Sequence, residues 1–374
     1  MSALWIRPRR ALAVRWAALC ALCTGALLAP SVARAGSMDF ALERLVQDPD
    51  CTDDGQIAPP APDGSRTLCM GDQVAFKRLI NQYAVALAPT NMYPARTTGY
   101  GGFEILLEGA FTSIDSGENH WRRGTRGPND PTSGQAAKEN ATPASMLQMY
   151  AVRLRKGFGF GLEVGSTFGF LADTSIISGG VDVRMSLFEG FRSGVPGFFP
   201  DLAIAGSVRT LTGTSQVQIT VPTASAVLSK PITIAGSGQL TPFIGFQYMW
   251  IFGDSGVIDF TPATDAQQYC NFTGKNQPGG PAQPVGVPGR DGSPVCEGGS
   301  DADFNNSHVF IPVRLERQRL NFGASYQYEI FTAGAQLSLD VVPPDKAQTD
   351  AEDRRDLAGQ RSQLQVALQL GAIF

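Results

Sequence analysis

The chain has 374 residues and a formal net charge of -4, and 17% of its residues are charged, against about 25% in soluble domains. This acidic balance, without a basic patch, argues against nucleic acid as a partner. Beyond residue 35, no apolar run reaches the ~18 residues that a membrane-spanning helix requires.

The N-terminus has the parts of a secretory signal peptide. Arginines at positions 7, 9, 10 and 15 precede an apolar run over 16–29, and Ala33-Arg34-Ala35 supplies a small-x-small cleavage site. The apolar run is too short to span a bilayer comfortably. We therefore predict that residues 1–35 are removed. The five arginines and the cysteines at 20 and 23 leave with them, and the formal charge falls from -4 to -9.

Residues 36–98 do not have the pattern of strands. A stretch rich in Pro, Gly and Asp lies between Cys51 and Cys69 and has the composition of a loop. Apolar residues at 76, 79, 80, 83, 84 and 87 then recur with helical spacing, which predicts an amphipathic helix over 72–88 that ends at Pro89. The segment is predicted either to plug a lumen or to form a small periplasmic cap.

Four cysteines remain after the signal peptide: Cys51, Cys69, Cys270 and Cys296. An even number in an exported chain indicates disulfides. The local pairs Cys51–Cys69 and Cys270–Cys296 are favoured because they lie in two separate loop-like regions. Metal binding is the weaker alternative, since no pair has CxxC spacing. No metal and no cofactor are expected.

From residue 99 to residue 374 the apolar period becomes two, which is the period of half-buried strands. Ten such segments follow one another, with eight or twelve strands as alternatives: 103–112, 150–155, 160–170, 177–187, 202–209, 217–228, 240–252, 308–328, 331–341 and 364–374. The long connections, 115–144, 253–307 and 342–359, all fall on one side and the short ones on the other. This sorting is typical of a sheet that closes into a membrane-spanning barrel.

Two local details are also predicted. A three-residue turn at 156–158 would place Arg155 opposite Gly159 and Arg153 opposite Gly161. In the long strand 308–328, the apolar parity changes between Leu315 and Leu320, which predicts a β-bulge there.

The inward faces of the predicted strands carry charged residues of both signs. One interpretation is that their side chains pair and fill a narrow barrel, as is usual. The other is that they line a charge-selective path, and the sequence leaves both open. The candidates are Glu104, Glu108, Arg153, Arg155, Glu163, Asp182, Arg184 and Arg209.

Catalytic and cation-binding patterns are weak. His120 and His308 each have carboxylates nearby in sequence, so a hydrolase at the rim is conceivable, but no nucleophile elbow is present. Asp301-x-Asp303-x-Asn305 begins like a calcium loop, yet Asn306 and Pro312 occupy the positions where that motif requires Gly and Glu. We expect no catalytic residues.

The last strand carries the strongest signal. Apolar residues occupy alternate positions from 364 to 372, and the chain ends on the aromatic Phe374. This strand resembles the C-terminal strand of Gram-negative outer-membrane β-barrel proteins. The resemblance implies an all-β, antiparallel transmembrane barrel in the cell outer membrane, with outer-membrane lipid and the barrel-assembly machinery as partners and Phe374 as the assembly signal. An even strand number then places residues 36–98 on the periplasmic side.

The expected function is that of a narrow porin-like channel for small solutes or a small apolar ligand. The alternative is a structural or surface-interaction barrel with a closed lumen that acts through loops 115–144 and 253–307. The transported solute and the oligomeric state do not follow from the residues.

Overall fold

Ten long strands form one antiparallel sheet that closes on itself. The computed structural model of the protein describes residues 36–53, 56–57, 69–129, 137–188, 199–234, 238–262, 270–272, 294–296 and 307–374. The predicted signal peptide, residues 1–35, lies outside these described residues.

Each strand pairs with the strands before and after it in the chain, and the last strand pairs with the first. The predicted ten-stranded antiparallel barrel is therefore confirmed. The strands are β1 (Phe103–Ser113), β2 (Met146–Gly157), β3 (Leu162–Leu171), β4 (Ile177–Phe188), β5 (Asp201–Thr212), β6 (Val217–Ser229), β7 (Gly238–Ser255), β8 (Val313–Tyr328), β9 (Phe331–Asp340) and β10 (Leu364–Ile373).

Within the described residues, three α-helices and several short elements accompany the barrel. The helices are α1 (Gln73–Leu87), α2 (Asn119–Gly124) and α3 (Ala351–Asp356). The 3₁₀ turns are Leu42–Arg44, Pro49–Cys51 and Gly159–Gly161. The short strands are Thr52–Asp53, Gln56–Ile57, Ile232–Ile234, Ile258–Asp259, Cys270–Phe272, Pro294–Cys296 and Ser307–His308. None of the helices in the described part of the chain is long and apolar enough to cross a membrane.

The period of two places apolar side chains outside and polar or small ones inside. On β10, Leu368 and Leu370 are 50% and 64% exposed, whereas Gln365 and Gln369 are buried. Exposed apolar residues of the same kind line β3, β4, β7 and β9, so the barrel has an apolar outer belt. Such a belt is what a lipid-facing barrel surface requires.

The seam of the barrel is closed at its end by the last residue. The Phe374 N–H donates to the Phe103 carbonyl at 2.7 Å, and the Phe103 N–H donates back at 3.0 Å. The Phe374 ring lies on the outer surface and is 64% exposed.

Deleting Phe374 is expected to lower the amount of folded barrel in the outer membrane several-fold, because the seam loses its terminal pair and the chain loses its predicted assembly signal. Heat-modifiable migration of outer-membrane fractions on a denaturing gel measures this. Phe168→Ala is the matched control, since that ring has the same exposure on the outer belt. Equal amounts of the deletion variant and the wild type would show that Phe374 has no role in assembly.

Two local predictions were wrong. The turn between β2 and β3 lies at 158–161 rather than 156–158, so Arg155 pairs opposite Gly165 and Arg153 opposite Thr167. Phe160 sits in this turn with a φ of 63° and is almost fully exposed. A positive φ in a bulky residue is uncommon. The alternation of apolar residues gives no sign of it, so the sequence placed the turn too early.

Strand β8 has no β-bulge at the position where one was predicted. The strand pairs without a register shift over its whole length with β7 and from Arg319 to Tyr328 with β9. Odd-numbered residues face inward throughout, and Val313 and Leu315 are buried there. The apparent change of parity arises because the inner wall itself becomes apolar at this end. The one irregular pairing recorded among the described barrel strands lies in β4, between Ser186 and Phe188.

Helix α1 lies inside the ring of strands. Its N-cap Asp72 accepts a hydrogen bond from the Ala75 N–H at 2.9 Å. The helix contacts inward-facing parts of β1, β2, β5, β6, β7 and β8, together with α2 and α3. Apolar residues of α1, of the long connections and of the barrel wall form one buried core, which includes Phe76, Tyr83, Trp121, Ile251 and Phe310. The part of the lumen nearest the long connections, called the upper lumen below, is therefore filled by packed side chains.

The N-terminal segment runs the length of the barrel. The Met38 N–H donates to the Asp173 carbonyl and the Ala41 N–H to the Gly124 carbonyl, both at 3.0 Å, at the end with the long connections. At the opposite end, the Gly101 N–H donates to the Gly157 carbonyl at 3.2 Å, just before β1 begins. Of the two alternatives predicted for residues 36–98, a lumen plug or a periplasmic cap, this path corresponds to the plug. The period-two pattern could not choose between them, because it does not reveal what occupies the lumen.

The two predicted disulfides fall in different parts of the structure. Cys51 and Cys69 are bonded. Cys270 and Cys296 are direct antiparallel partners in a two-stranded ladder, but their side chains lie outside the described residues. Asp301, Asp303 and Asn305 of the calcium-like pattern also lie outside the described residues.

Candidate functional site in the lumen

All eight charged residues predicted for the inner face are placed on it by the strand register. Each is at most 5% exposed, so none of them faces open water. They are Glu104 and Glu108 on β1, Arg153 and Arg155 on β2, Glu163 on β3, Asp182 and Arg184 on β4, and Arg209 on β5.

Near the short-turn end, the ion pairs run between neighbouring strands. Arg155 pairs with Glu104 on one side and, at 3.6 Å, with Glu163 on the other. Arg184 also pairs with Glu163, from the next strand. The charges thus pair along the wall and leave the axis of the barrel to other groups.

Further from the short-turn end, Arg153 lies between two carboxylates. Its guanidinium is 3.6 Å from Glu108 and 3.5 Å from Asp182. The Thr90 hydroxyl of the N-terminal segment donates to Glu108 at 2.6 Å. An unpaired charge at such a buried position is strongly unfavourable, and here Arg153 offsets part of the charge of both carboxylates.

Tyr93 occupies the middle of the lumen. Its ring centroid is 4.5 Å from the Arg184 guanidinium carbon and 5.3 Å from those of Arg153 and Arg155. Cations at this distance are attracted to the face of an aromatic ring. The sequence pattern does not mark Tyr93, because it belongs to neither the helix nor a strand.

The rest of the N-terminal segment is held through its main chain. Arg153 donates to the Thr90 carbonyl at 3.3 Å, and Arg184 donates to the Arg96 carbonyl at 3.1 Å and to that of Pro94. The Thr98 N–H in turn donates to Glu163 at 2.5 Å. Wall charges therefore bind a strap, residues 88–98, that follows α1 down the lumen.

Three further inner-wall residues of the upper lumen were not among the sequence candidates. Arg317 pairs with Asp340 on the neighbouring strand, with both side chains fully buried. Arg319 donates to the Val85 carbonyl at the end of α1 and to Gln365 at 3.1 Å. The uninterrupted odd-numbered parity of β8, which the predicted bulge concealed, could have found the two arginines. The even-numbered parity of β9 could have found Asp340.

A separate polar cavity of about 110 Å³ lies at the long-loop rim. It is lined by Arg78, Asp115, Glu118, His120 and residues 358–361, and this described lining includes no hydroxyl or thiol. Burial, followed by the nearby Arg78 cation, lowers the pKa of His120 to about 3. The imidazole is therefore neutral at ordinary pH.

His308, the second histidine, packs among aromatic rings. Its ring centroid lies 5.3 Å from that of Phe260 and 5.0 Å from that of Phe310. Burial lowers its pKa as well. The two histidines thus lie in separate environments.

Comparisons with known proteins give structural likenesses alone. No family model and no curated protein matches the sequence. Among solved structures, the attachment invasion locus protein Ail of Yersinia pestis is 9% identical, with 74% of this chain and 99% of that chain covered and a TM-score of 0.23. An outer membrane channel from Pseudomonas putida F1 is 8% identical, with 77% and 100% covered and a TM-score of 0.24.

OprG from Pseudomonas aeruginosa is 10% identical, with 74% of this chain and 98% of that chain covered and a TM-score of 0.23. Superpositions this poor carry no argument about function. The fold rests instead on the strand pairing of the chain itself. A closed antiparallel ten-stranded barrel with an apolar outer belt is the architecture of Gram-negative outer-membrane β-barrel proteins.

Proposed function

We propose that the protein is a narrow outer-membrane channel for small solutes, closed at rest by its own residues 73–98. One observation carries the proposal: the charged side chains of the wall pair with neighbouring strands, and a separate chain segment occupies the axis. A barrel closed for purely structural reasons can be filled by its wall side chains. Here the lumen is filled by residues 73–98, a chain segment that is separate from the wall and can leave the lumen.

The membrane assignment is part of the proposal. The exposed apolar belt supports contact with outer-membrane lipid, and the predicted signal peptide supports export. With the long connections outside the cell, residues 36–46 lie at the outer face and β1 begins at the periplasmic face. The barrel-assembly machinery remains the proposed partner for insertion.

Opening requires more than a change in the strap. Residues 88–98 are held by polar bonds, but α1 buries Phe76, Leu79, Ile80 and Tyr83 in the core. Burial of each such side chain contributes about 1.5–3 kcal/mol. We therefore propose that the channel is closed in the absence of a trigger, and that the trigger displaces α1.

The second candidate is a surface-interaction barrel whose lumen never opens. The shared core favours it, because Trp121 of the first long connection and Phe310 of the second pack with α1. Such packing would present the loops as one rigid outer surface. We propose no Ser, Thr or Cys hydrolase activity, since the described lining of the His120 cavity offers no hydroxyl or thiol nucleophile.

Deletion of residues 36–98 separates the two candidates. We expect the deletion variant to give conductance steps in a planar bilayer and the intact protein to be silent or nearly so, because the ten strands pair without this segment. Heat-modifiable migration of the deletion variant is the control for a folded barrel. A folded deletion variant that stays silent would contradict the channel and favour the surface protein.

A further inference from the structure

The upper lumen holds two arginines that form no ion pair with any carboxylate of the described residues. Arg209 and Arg319 are 2% and 1% exposed, and among the described residues no Asp or Glu lies within ion-pair distance of either. The nearest acids are engaged elsewhere, Glu108 by Arg153 and Asp340 by Arg317. This differs from the lower lumen, the part nearest the short turns, where Arg153, Arg155 and Arg184 each form an ion pair with a carboxylate.

Both arginines are directed at the end of α1. Arg319 donates to the Val85 carbonyl, and Arg209 donates to the Ala88 carbonyl at 3.5 Å. Gln247, on β7 between them, donates to the Pro89 carbonyl at 2.8 Å. Donors from three strands thus converge on the Val85 carbonyl, one of the last four of α1 that lack a helical partner, and on the Ala88 and Pro89 carbonyls directly after the helix.

The C-terminus of α1 balances only part of the positive charge of Arg209 and Arg319. A helix C-terminus carries roughly half an elementary charge, whereas Arg209 and Arg319 carry two positive charges. The Arg209 Nη2 atom has no hydrogen-bond acceptor within the described residues. The carbonyl oxygens therefore stand where the oxygens of a full anion would be bound more strongly.

We infer that Arg209, Gln247 and Arg319 form an anion-binding site of the lumen, which the carbonyls at and directly after the end of α1 occupy at rest. The inference rests on the proposed channel function and specifies its substrate class. Small solutes with carboxylate or phosphate oxygens bind there once α1 leaves. Because each carboxylate of the lower lumen is engaged by an arginine, this site sets the charge selectivity of the open channel.

The test records the current through the full-length protein in a planar bilayer under moderate urea. We expect urea to release α1 before it disrupts the paired strands of the barrel. With a potassium chloride gradient across the bilayer, we expect the wild type to be selective for chloride. The double variant Arg209→Gln, Arg319→Gln should lower the chloride-to-potassium permeability ratio on the order of tenfold. Inorganic phosphate should block the wild-type current and lose most of this effect in the double variant.

Arg314→Gln is the matched control, since it removes the same charge from β8 at a half-exposed position paired with Asp254. A permeability ratio that stays the same in a conducting double variant would overturn the anion site and leave the channel standing. Absence of current in every form would overturn the channel and the anion site together.

Discussion

Glu163→Gln is expected to lower the free energy of unfolding by about 3–5 kcal/mol, the usual cost of removing one partner from a buried ion pair. Glu163 accepts hydrogen bonds from Arg184 and from the Thr98 N–H, and it lies 3.6 Å from Arg155. The amide keeps the shape and one acceptor but loses the charge. Arg184 would then have only the carbonyls of the strap and the face of the Tyr93 ring to offset its own charge.

Denaturant unfolding in detergent micelles, followed through tryptophan fluorescence and gel migration, measures this change. Asp254→Asn is the matched control, because it breaks an ion pair of 2.8 Å whose side chains are about half exposed. Such surface pairs contribute about 0–1 kcal/mol. A loss for Glu163→Gln as small as that of the control would mean that the buried pairs do not hold the strap to the wall.

The barrel was predictable because one physical rule governs it. Each strand has one face toward lipid and one toward the lumen, so residues such as Leu368 and Gln369 must alternate. The same rule placed all eight charged candidates on the inner face. It could not state their partners, since the register across the turn at 158–161 depends on a positive φ at Phe160 that leaves no trace in the pattern.

The contents of the lumen could not be read from the same rule. Where α1 fills the barrel, inward positions such as Val313 and Leu315 are apolar, and the two faces of the strand become alike. The sequence indicated the helix but not its location. Tyr93 and the strap have no period at all, so their contacts with the wall arginines emerge only from the three-dimensional structure.

The path of the N-terminal segment also has a consequence for assembly. Residues 38–42 contact connections at one end of the barrel, whereas residues 98–102 contact the turns at the other. A segment that passes through a closed ring must enter before the ring closes or be drawn through it afterwards. Closure of the β10–β1 seam around the segment is the simpler order, since that pairing joins the two ends of the barrel sequence.

The structure offers a direct way to fix α1 to the wall. A Cβ atom placed on Gly253 of β7 would lie 3.6 Å from the Ile80 Cβ atom of α1. Disulfides join Cβ atoms about 3.5–4.5 Å apart. The double variant Ile80→Cys, Gly253→Cys should therefore form a disulfide, and replacement of Ile80 also removes the methyl group that the new Cβ would meet.

The planar-bilayer current of this double variant under moderate urea tests most directly whether α1 closes the lumen. We expect no conductance steps while the disulfide is intact and steps of wild-type size after reduction. The wild type with and without reductant controls for the native Cys51–Cys69 bond. Steps of wild-type size with α1 still bonded to β7 would contradict the account, because solutes would then pass a lumen that the helix is proposed to close.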